Sequence, residues 1–425
     1  MQEGSKKEAI KIVYAMLAGL ILGILLHYFK LEAYVSYIKP VGTVFIRLLK
    51  MVIVPLVLSS IYMSMINLGT PEALGSMGRK AVSYYFITTA IAVFFGLVFV
   101  NLINPGVGAS LGSAGLSELS GEMATKVSAQ KGLYQTILGV VIDSIPTNPA
   151  ASLANSNILQ IIVFAILFGI VSLYTDDKVT APINKMMGSL EQMTLKLTHG
   201  IMKFAPLGIF VLMLDVMAKS GTAAIFSLGK YMATVVVGLL CHALFLLFVA
   251  SIRLKKSPLF ILRGVSMPLL TALSTSSSAA TLPITMTAVE ENLGVRKDTA
   301  KFVLPLGATI NMDGTALYES VAAIFIAQAY GIDLSVGSQV IIFMTASLAA
   351  IGAAAIPGAG LITMSIVLGA VGLPLEGIGL ILAVDRILDM IRTTVNVFGD
   401  AVGTIVVDSF MNDEAVPSGG ELSES

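Results

Sequence analysis

Between positions 385 and 400 the chain reads DRILDMIRTTVNVFGD: three aspartates, two arginines and an asparagine, flanked by GLILAV and AVGTIVV. With Asp389 at zero and about 100° per helical residue, Arg392 falls at roughly −60°, Thr393 at +40°, Asn396 at −20° and Asp400 at +20°. Asp385 and Arg386 fall at roughly −40° and +60° on the same count. Every strongly polar side chain therefore shares one face, and Leu388, Val395 and Phe398 lie opposite. A charge at the centre of a bilayer costs at least ~2.5 kcal/mol, so this stripe must line a hydrated or protein-enclosed cavity. Such a row can grip a small zwitterionic solute. The competing reading is a self-satisfied ion-pair network, since Asp389 and Arg392 stand at i,i+3.

The surroundings require a membrane. Of 425 residues 56% are hydrophobic and only 12% charged, with a mean hydropathy of +0.89; soluble domains run near a quarter charged. A formal net charge of zero argues against nucleic acid as a partner. The lone Cys241 excludes a disulfide framework and a cysteine metal site, and His27, His199 and His242 have no metal-ligand spacing. The basic start, MQEGSKKEAIK, leads into an apolar run longer than a signal-peptide core, so a retained first span is expected.

About 20 apolar residues cross a bilayer. Candidate spans are 10–28, 43–66, 81–103, 157–175, 204–218 with a polar lead-in, 225–251 and 299–329; apolar blocks follow at 334–371 and 374–409. The stretch 104–155, rich in Gly, Ser and Asn, reads as an extramembrane loop ending at SIPTNPA. Lysine and arginine set the sides. Lys6, Lys7 and Lys11 precede the first span, Arg79 and Lys80 follow the second, and Lys178 and Lys185 precede the fifth. The 104–155 loop carries only Lys126 and Lys131, which places the N-terminus in the cytoplasm.

Two blocks behave differently. Block 258–292 is basic on both sides (Arg253, Lys255, Lys256; Arg296, Lys297, Lys301), whereas 334–371 has neither Lys nor Arg on either flank. A block whose ends face one compartment enters and turns back, so one re-entrant hairpin is expected from the inside and one from the outside. Two ordinary short helices per block is the alternative. The expected tips, STSSSAATLP and AIGAAAIPGAG, interrupt helix and leave backbone groups that only protein or a polar cavity can satisfy. A serine nucleophile at the first tip lacks a nearby histidine and a Gly-x-Ser-x-Gly elbow, so no enzyme is expected. Each hairpin is followed by a polar helix, and such a repeated interrupted unit points to a solute site at the bilayer midplane. In NMDGT, Gly314 among polar neighbours suggests unwinding that frees carbonyls beside Asn311 and Asp313 for a hard cation. A lone membrane aspartate can equally be a buried acid or a proton relay, and spacing does not choose between Na⁺ and H⁺.

The motifs RLLKMVIVPLV, PTNP, SSSAATLP, PLGATINMDGTALY, IPGAG and DMIRTTVNVFGD occur in one order over the whole chain. In these the chain resembles the dicarboxylate/amino acid:cation symporters, the glutamate and aspartate transporters. The resemblance implies an all-α polytopic fold of eight transmembrane helices plus two re-entrant helical hairpins with inverted repeats, working as an elevator in a homotrimer in the cell membrane. It implies a scaffold over 1–80 and 156–219, and a transport domain over 81–103 and 220–252. To that domain belong hairpin 258–292, helix 299–330, hairpin 334–371 and helix 374–410. Residues 104–155 would be the outer loop and the start of the fourth helix, and 411–425 a disordered cytoplasmic tail.

By the same resemblance Arg392 would clamp a side-chain carboxylate, a bidentate task suited to guanidinium. Asp389 would take an α-amino group and Asn396 an α-carboxylate, assisted by Thr393 and Thr315. Backbone at Ser276, Ser277 and Ser278 and at Ile356, Pro357, Gly358, Ala359 and Gly360 would close on the ligand, the second hairpin as outer gate. One sodium set would be Gly307, Asn311, Asn396 and Asp400; a second Thr309, Met312, Ala350, Ile351 and Ala353; a third Asp313 and Asn311 with Tyr85, Thr88 and Thr89. Co-transported Na⁺ and no organic cofactor is therefore expected, with an acidic amino acid and membrane lipid as partners. A proton-coupled glutamate or C4-dicarboxylate symporter is the rival. Members commonly carry a second arginine where this chain has Ser276 or Met390. Arg386, three residues before Asp389, is expected to stand in for it. Ala355 also replaces a frequent gate glycine.

Overall fold

The computed structural model describes residues 2–68, 71–109, 138, 142–220, 222–351 and 359–415, and its elements are helices. In chain order they are α1 (Gln2–Tyr28), α2 (Lys39–Leu68), α3 (Pro71–Ile103, kinked at Gly75), α4 (Pro149–Ala154), α5 (Ile158–Leu173), α6 (Asp177–Ser220) and α7 (Thr222–Leu254). Then come α8 (Pro258–Gly264), α9 (Ser266–Thr275), α10 (Ser278–Thr287), α11 (Lys297–Ile310), α12 (Asp313–Ala329), α13 (Val336–Ile351), α14 (Ala359–Ala370) and α15 (Ile378–Ala415).

Local chemistry starts several of these helices. The Asn148 side chain accepts the Ala150 and Ala151 N–H groups ahead of Pro149, and Ser257 accepts from Phe260 ahead of Pro258. Both satisfy first-turn donors that the helix itself leaves free. The lead-in expected before residue 204 is helical: α6 runs 44 residues, with a 54° bend between Asp177–Thr198 and Lys203–Lys219. Asp177 in its first turn and Lys219 in its last both suit the helix dipole.

Among the described residues, three helical stretches are long and apolar enough to cross a bilayer: Gly75–Ile103, Phe226–Leu254 and Val384–Met411. Counting each bent pair as one span gives up to five, and shorter apolar helices lie at Leu17–Tyr28, Met51–Asn67, Leu159–Leu173 and Val336–Ala350. The chain is an integral membrane protein.

The helices pack in two groups. In one, α1 and α2 lie on α6, and α5 lies on α2. In the other, α3 packs on α12 and α7, and α15 is surrounded by α7, α9, α11 and α12. The groups meet where α6 touches α15 and α14 touches α2. Burial ranks the helices: 83% of the Val384–Met411 window is inside the protein, against 33% for Gly75–Ile103 and for Phe226–Leu254. The polar helix is thus central, and even its apolar face, with Leu388, Val395 and Phe398, is buried in protein.

Each block expected to turn back does contain two arms packed on each other, α9 with α10 and α13 with α14. The first arm bends by 55° between α8 and α9. The chain then reverses through Ser276, left-handed at φ 51°, and Ser277, whose side chain caps α10. The second turn, 352–358, lies outside the described residues. The expected span 299–329 is broken where Asn311 is extended (φ −93°, ψ 98°) and Met312 follows at φ −125°, ψ 46°. The expected unwinding thus falls just before Gly314, which is itself in α12, because the Asn396 Oδ1 receives the Gly314 N–H at 2.8 Å and helix resumes there. The disordered tail expected from 411 is corrected: α15 continues to Ala415, and 416–425 lie outside the described residues. Its end is held by Lys80, which donates to the Phe410 carbonyl at 3.3 Å, and by the Arg253 guanidinium 4.0 Å over the Phe410 ring.

Candidate functional site

The stripe on α15 is buried throughout: Asp385, Asp389, Arg392, Thr393, Asn396 and Asp400 are all inside the protein. Arg392 is the largest fully buried side chain. Its Nε and NH2 donate to Asp389 Oδ1 at 3.2 and 2.9 Å, and NH1 donates to Asp385 Oδ1 at 3.0 Å. The guanidinium lies 4.3 Å over the Tyr318 ring, and the Tyr318 hydroxyl donates to Asp385 at 2.7 Å. Arg386 NH1 approaches the other oxygen of Asp389 at 3.4 Å. On the far side hairpin arm α14 presses Gly360 onto Arg392, where a Cβ would stand 2.7 Å from the guanidinium carbon. Only a glycine permits that approach.

One turn further along, Asn396 joins α15 to the broken helix. Besides accepting from Gly314, it donates to Thr315 Oγ1 at 3.2 Å and to the Met312 sulfur at 3.3 Å. Asn311, extended at the break, donates to Asp400 Oδ1 at 2.8 Å and to the Asn396 carbonyl at 3.3 Å. Gly307 leaves room for the Tyr85 hydroxyl and the Asp400 carboxylate beside α11. The Asn311 Oδ1 is buried without a hydrogen-bond partner. A buried acceptor left open costs about 1–3 kcal/mol unless something fills it, and a hard cation is an apt occupant. A second oxygen-rich group adjoins it: Asp313 Oδ1 accepts from Thr89 at 2.7 Å and Thr88 at 3.4 Å, with Tyr85 alongside.

The expected residues thus fare unequally. Asp389, Arg392, Thr393, Asn396 and Thr315 converge around α15, as do the first sodium set (Gly307, Asn311, Asn396, Asp400) and the third (Asn311, Asp313, Tyr85, Thr88, Thr89). Ser276 and Ser278 are buried in hairpin 1, whose arms pack on α15, and the Ser276 hydroxyl has no partner. Ser277 is taken up in capping α10 through the Ala280 N–H at 3.2 Å. The second sodium set is the least assembled. Thr309 is exposed and donates to its own helix at Leu306, while Met312 is buried against Asn396. Ala350 is buried and Ile351 ends α13. Ala353, Ile356, Pro357 and Gly358 lie outside the described residues; Ala359 begins α14.

The ion-pair network weighed as the alternative is present, since Arg392 is held by two aspartates, but it does not consume every polar group. Arg386 Nε, Asn311 Oδ1, Ser276 Oγ and Glu319 Oε2 are buried without partners. Sequence reasoning assigned no role to Tyr318, Glu319, Thr363 or His242, and placed Asp385 only on the shared polar face. Glu319 is fully buried on α12 and accepts from the Thr363 hydroxyl on α14. Its signal was available: an acid inside the apolar run TALYESVAAIFIAQA is a functional hypothesis in its own right.

A buried ionised face beside a broken helix and two pairs of packed short helices, within a membrane protein, defines a secondary transporter. The profile of the sodium:dicarboxylate symporter family matches residues 9–410, and the chain belongs to that family. It is 34% identical to a proton/glutamate-aspartate symporter of Escherichia coli over 402 residues, covering 94% of this chain and 92% of the relative. It is 38% identical to the human excitatory amino acid transporter 3 over 417 residues, covering 88% of this chain and 79% of the relative. An excitatory amino acid transporter of Caenorhabditis elegans shares 38% over 435 residues, 93% of this chain and 86% of the relative. The protein is a symporter, not an enzyme.

Proposed function

We propose that this symporter carries L-aspartate and L-glutamate into the cell with sodium. The observation that carries the reading is the Arg392 guanidinium, fully buried on α15 beside Asp389. A fixed, desolvated guanidinium suits a carboxylate, and Asp389 suits an ammonium group. In this reading Arg392 holds the side-chain carboxylate, Asp389 the α-amino group, and Asn396 with hairpin 1 backbone the α-carboxylate, while Thr393 and Thr315 assist. Sodium occupies the oxygen sets at Asn311/Asp400 and Asp313/Thr89, and a third site next to Thr309. The three relatives named for amino acids, the sodium in the family's description and the unpartnered Asn311 oxygen support this.

The same proposal includes eight spans, cytoplasmic termini, a homotrimer, and an elevator in which α3, α7, the hairpins, α11, α12 and α15 slide past α1, α2, α5 and α6. The separate packing of those two groups supports it. Uptake of labelled L-aspartate into proteoliposomes, with sodium and pH gradients imposed separately, tests the coupling. A sodium gradient alone should drive uptake; uptake that follows only the pH gradient overturns it.

A proton-coupled glutamate or C4-dicarboxylate symporter is the second reading. It is favoured by the buried Glu319 with an unpartnered oxygen, and by the Escherichia coli relative named as a proton symporter. On that reading the pH gradient alone drives uptake, and Glu319→Gln abolishes it.

A further inference from the structure

His242 on α7 is completely buried, and the mechanism above gives it no task. Its Nε2 lies 2.9 Å from Asp313 Oδ2, and its Nδ1 is buried without a partner. Phe95 on α3 meets the ring edge-on at 6.3 Å between centroids, and Phe245 stacks on it at 6.1 Å. The imidazole is therefore fixed in plane and can address only the aspartate. A carboxylate oxygen accepts, so the Nε2 hydrogen points at Asp313, and Nδ1, which meets no acceptor for a second hydrogen, is assigned as bare. Asp313 is then divided between two jobs. Oδ2 is tied to the imidazole, and Oδ1 is turned toward Thr88 and Thr89.

We infer that His242 is a positioning residue for the cation at Asp313: as the neutral Nε2–H tautomer it locks the carboxylate so that Oδ1 alone faces the cation with the two threonines. It sets cation affinity without touching the cation, as the hydrogen-bonding partners of metal ligands do elsewhere. The inference rests on the sodium reading proposed above.

Sodium binding to purified protein, followed as the rise in unfolding temperature with NaCl against choline chloride and without amino acid, is the first measurement. His242→Leu should weaken sodium binding by about ten- to a hundredfold, the usual cost of losing such a partner. His242→Gln, which keeps a donor at similar reach, should recover most of it. In proteoliposomes the sodium requirement for uptake should rise in His242→Leu while the aspartate KM at saturating sodium moves little. Nitrogen-15 NMR of histidine-labelled wild-type protein, with the His242→Gln spectrum as assignment, should show Nε2 protonated and Nδ1 bare. His242→Leu with native sodium affinity overturns the inference, as does Gln no better than Leu, or a ring protonated at Nδ1. Should Leu fail to fold, the Gln variant and the NMR tautomer decide. A wild-type protein that ignores sodium in both assays overturns the coupling reading itself; sodium-dependent wild type with unchanged variants overturns only His242.

Discussion

Arg392 has lost its water on every side and replaced it with Asp385, Asp389 and the Tyr318 ring. On the proposed reading an arriving carboxylate would take over guanidinium donors that Asp385 and Asp389 now hold, so binding would be an exchange of partners. Removing one partner of a buried pair is strongly unfavourable because the other charge is stranded. Arg392→Cys should abolish uptake of acidic amino acids and admit serine or alanine; retained aspartate affinity in that variant rejects the clamp. Arg386 is the second cation within reach, at 3.4 Å from Asp389 and partly exposed. A hydrogen bond to a charged group contributes about 1.5–3 kcal/mol, and 1.4 kcal/mol is about tenfold in affinity. Arg386→Ala should thus raise the aspartate KM about ten- to a hundredfold. Kinetics matching wild type dispose of its role as a substitute charge. The polar face of α15 was legible because residues sharing a helix face are set by a fixed rotation per residue. Glu319 and His242 were overlooked because each stands alone on an apolar helix, with partners 44 and 71 positions away.

At the scale of elements, hairpin arm α14 reaches the site through one glycine. Gly360→Val places branched carbon where the guanidinium lies, so it should abolish aspartate binding, read as loss of the aspartate-induced rise in unfolding temperature. Binding at wild-type affinity would show that α14 withdraws from Arg392 when substrate is bound. The turn of hairpin 1 was readable from STSSSAATLP, since serine caps and a left-handed residue are local devices. The break at Asn311 was readable as a break but not to the residue. Its position depends on Asn396 and Asp400, which hold Asn311 and Gly314 from another helix. The length of α6 was underestimated for a related reason: its polar first half has no apolar run to betray it, yet α1 and α2 pack along it.

Taken whole, the described helices form two packed groups with the polar face of α15 inside one of them. In the proposed elevator, sliding one group past the other would move that face across the bilayer without dismantling it. A crevice lined by Met65 of α2, Tyr85 and Thr89 of α3, Ile310 of α11 and Ser347 of α13 lies along that boundary. Cysteines at Met65 and Ser347, in a Cys241→Ala background, joined by a bifunctional thiol reagent should stop uptake while leaving aspartate binding intact. Uptake that survives complete cross-linking excludes a sliding motion between the groups.

Composition and one polar helix face were enough to place this chain in a membrane and to put Asp389, Arg392 and Asn396 on one face of a helix that is buried in the fold. These depend on lipid solubility and helical periodicity, which act over a few turns. That Tyr318 lies under Arg392, which oxygen of Asp313 meets His242, and that Glu319 meets Thr363 depend on helices distant in the chain. Packing alone brings those atoms together, and no local rule encodes it.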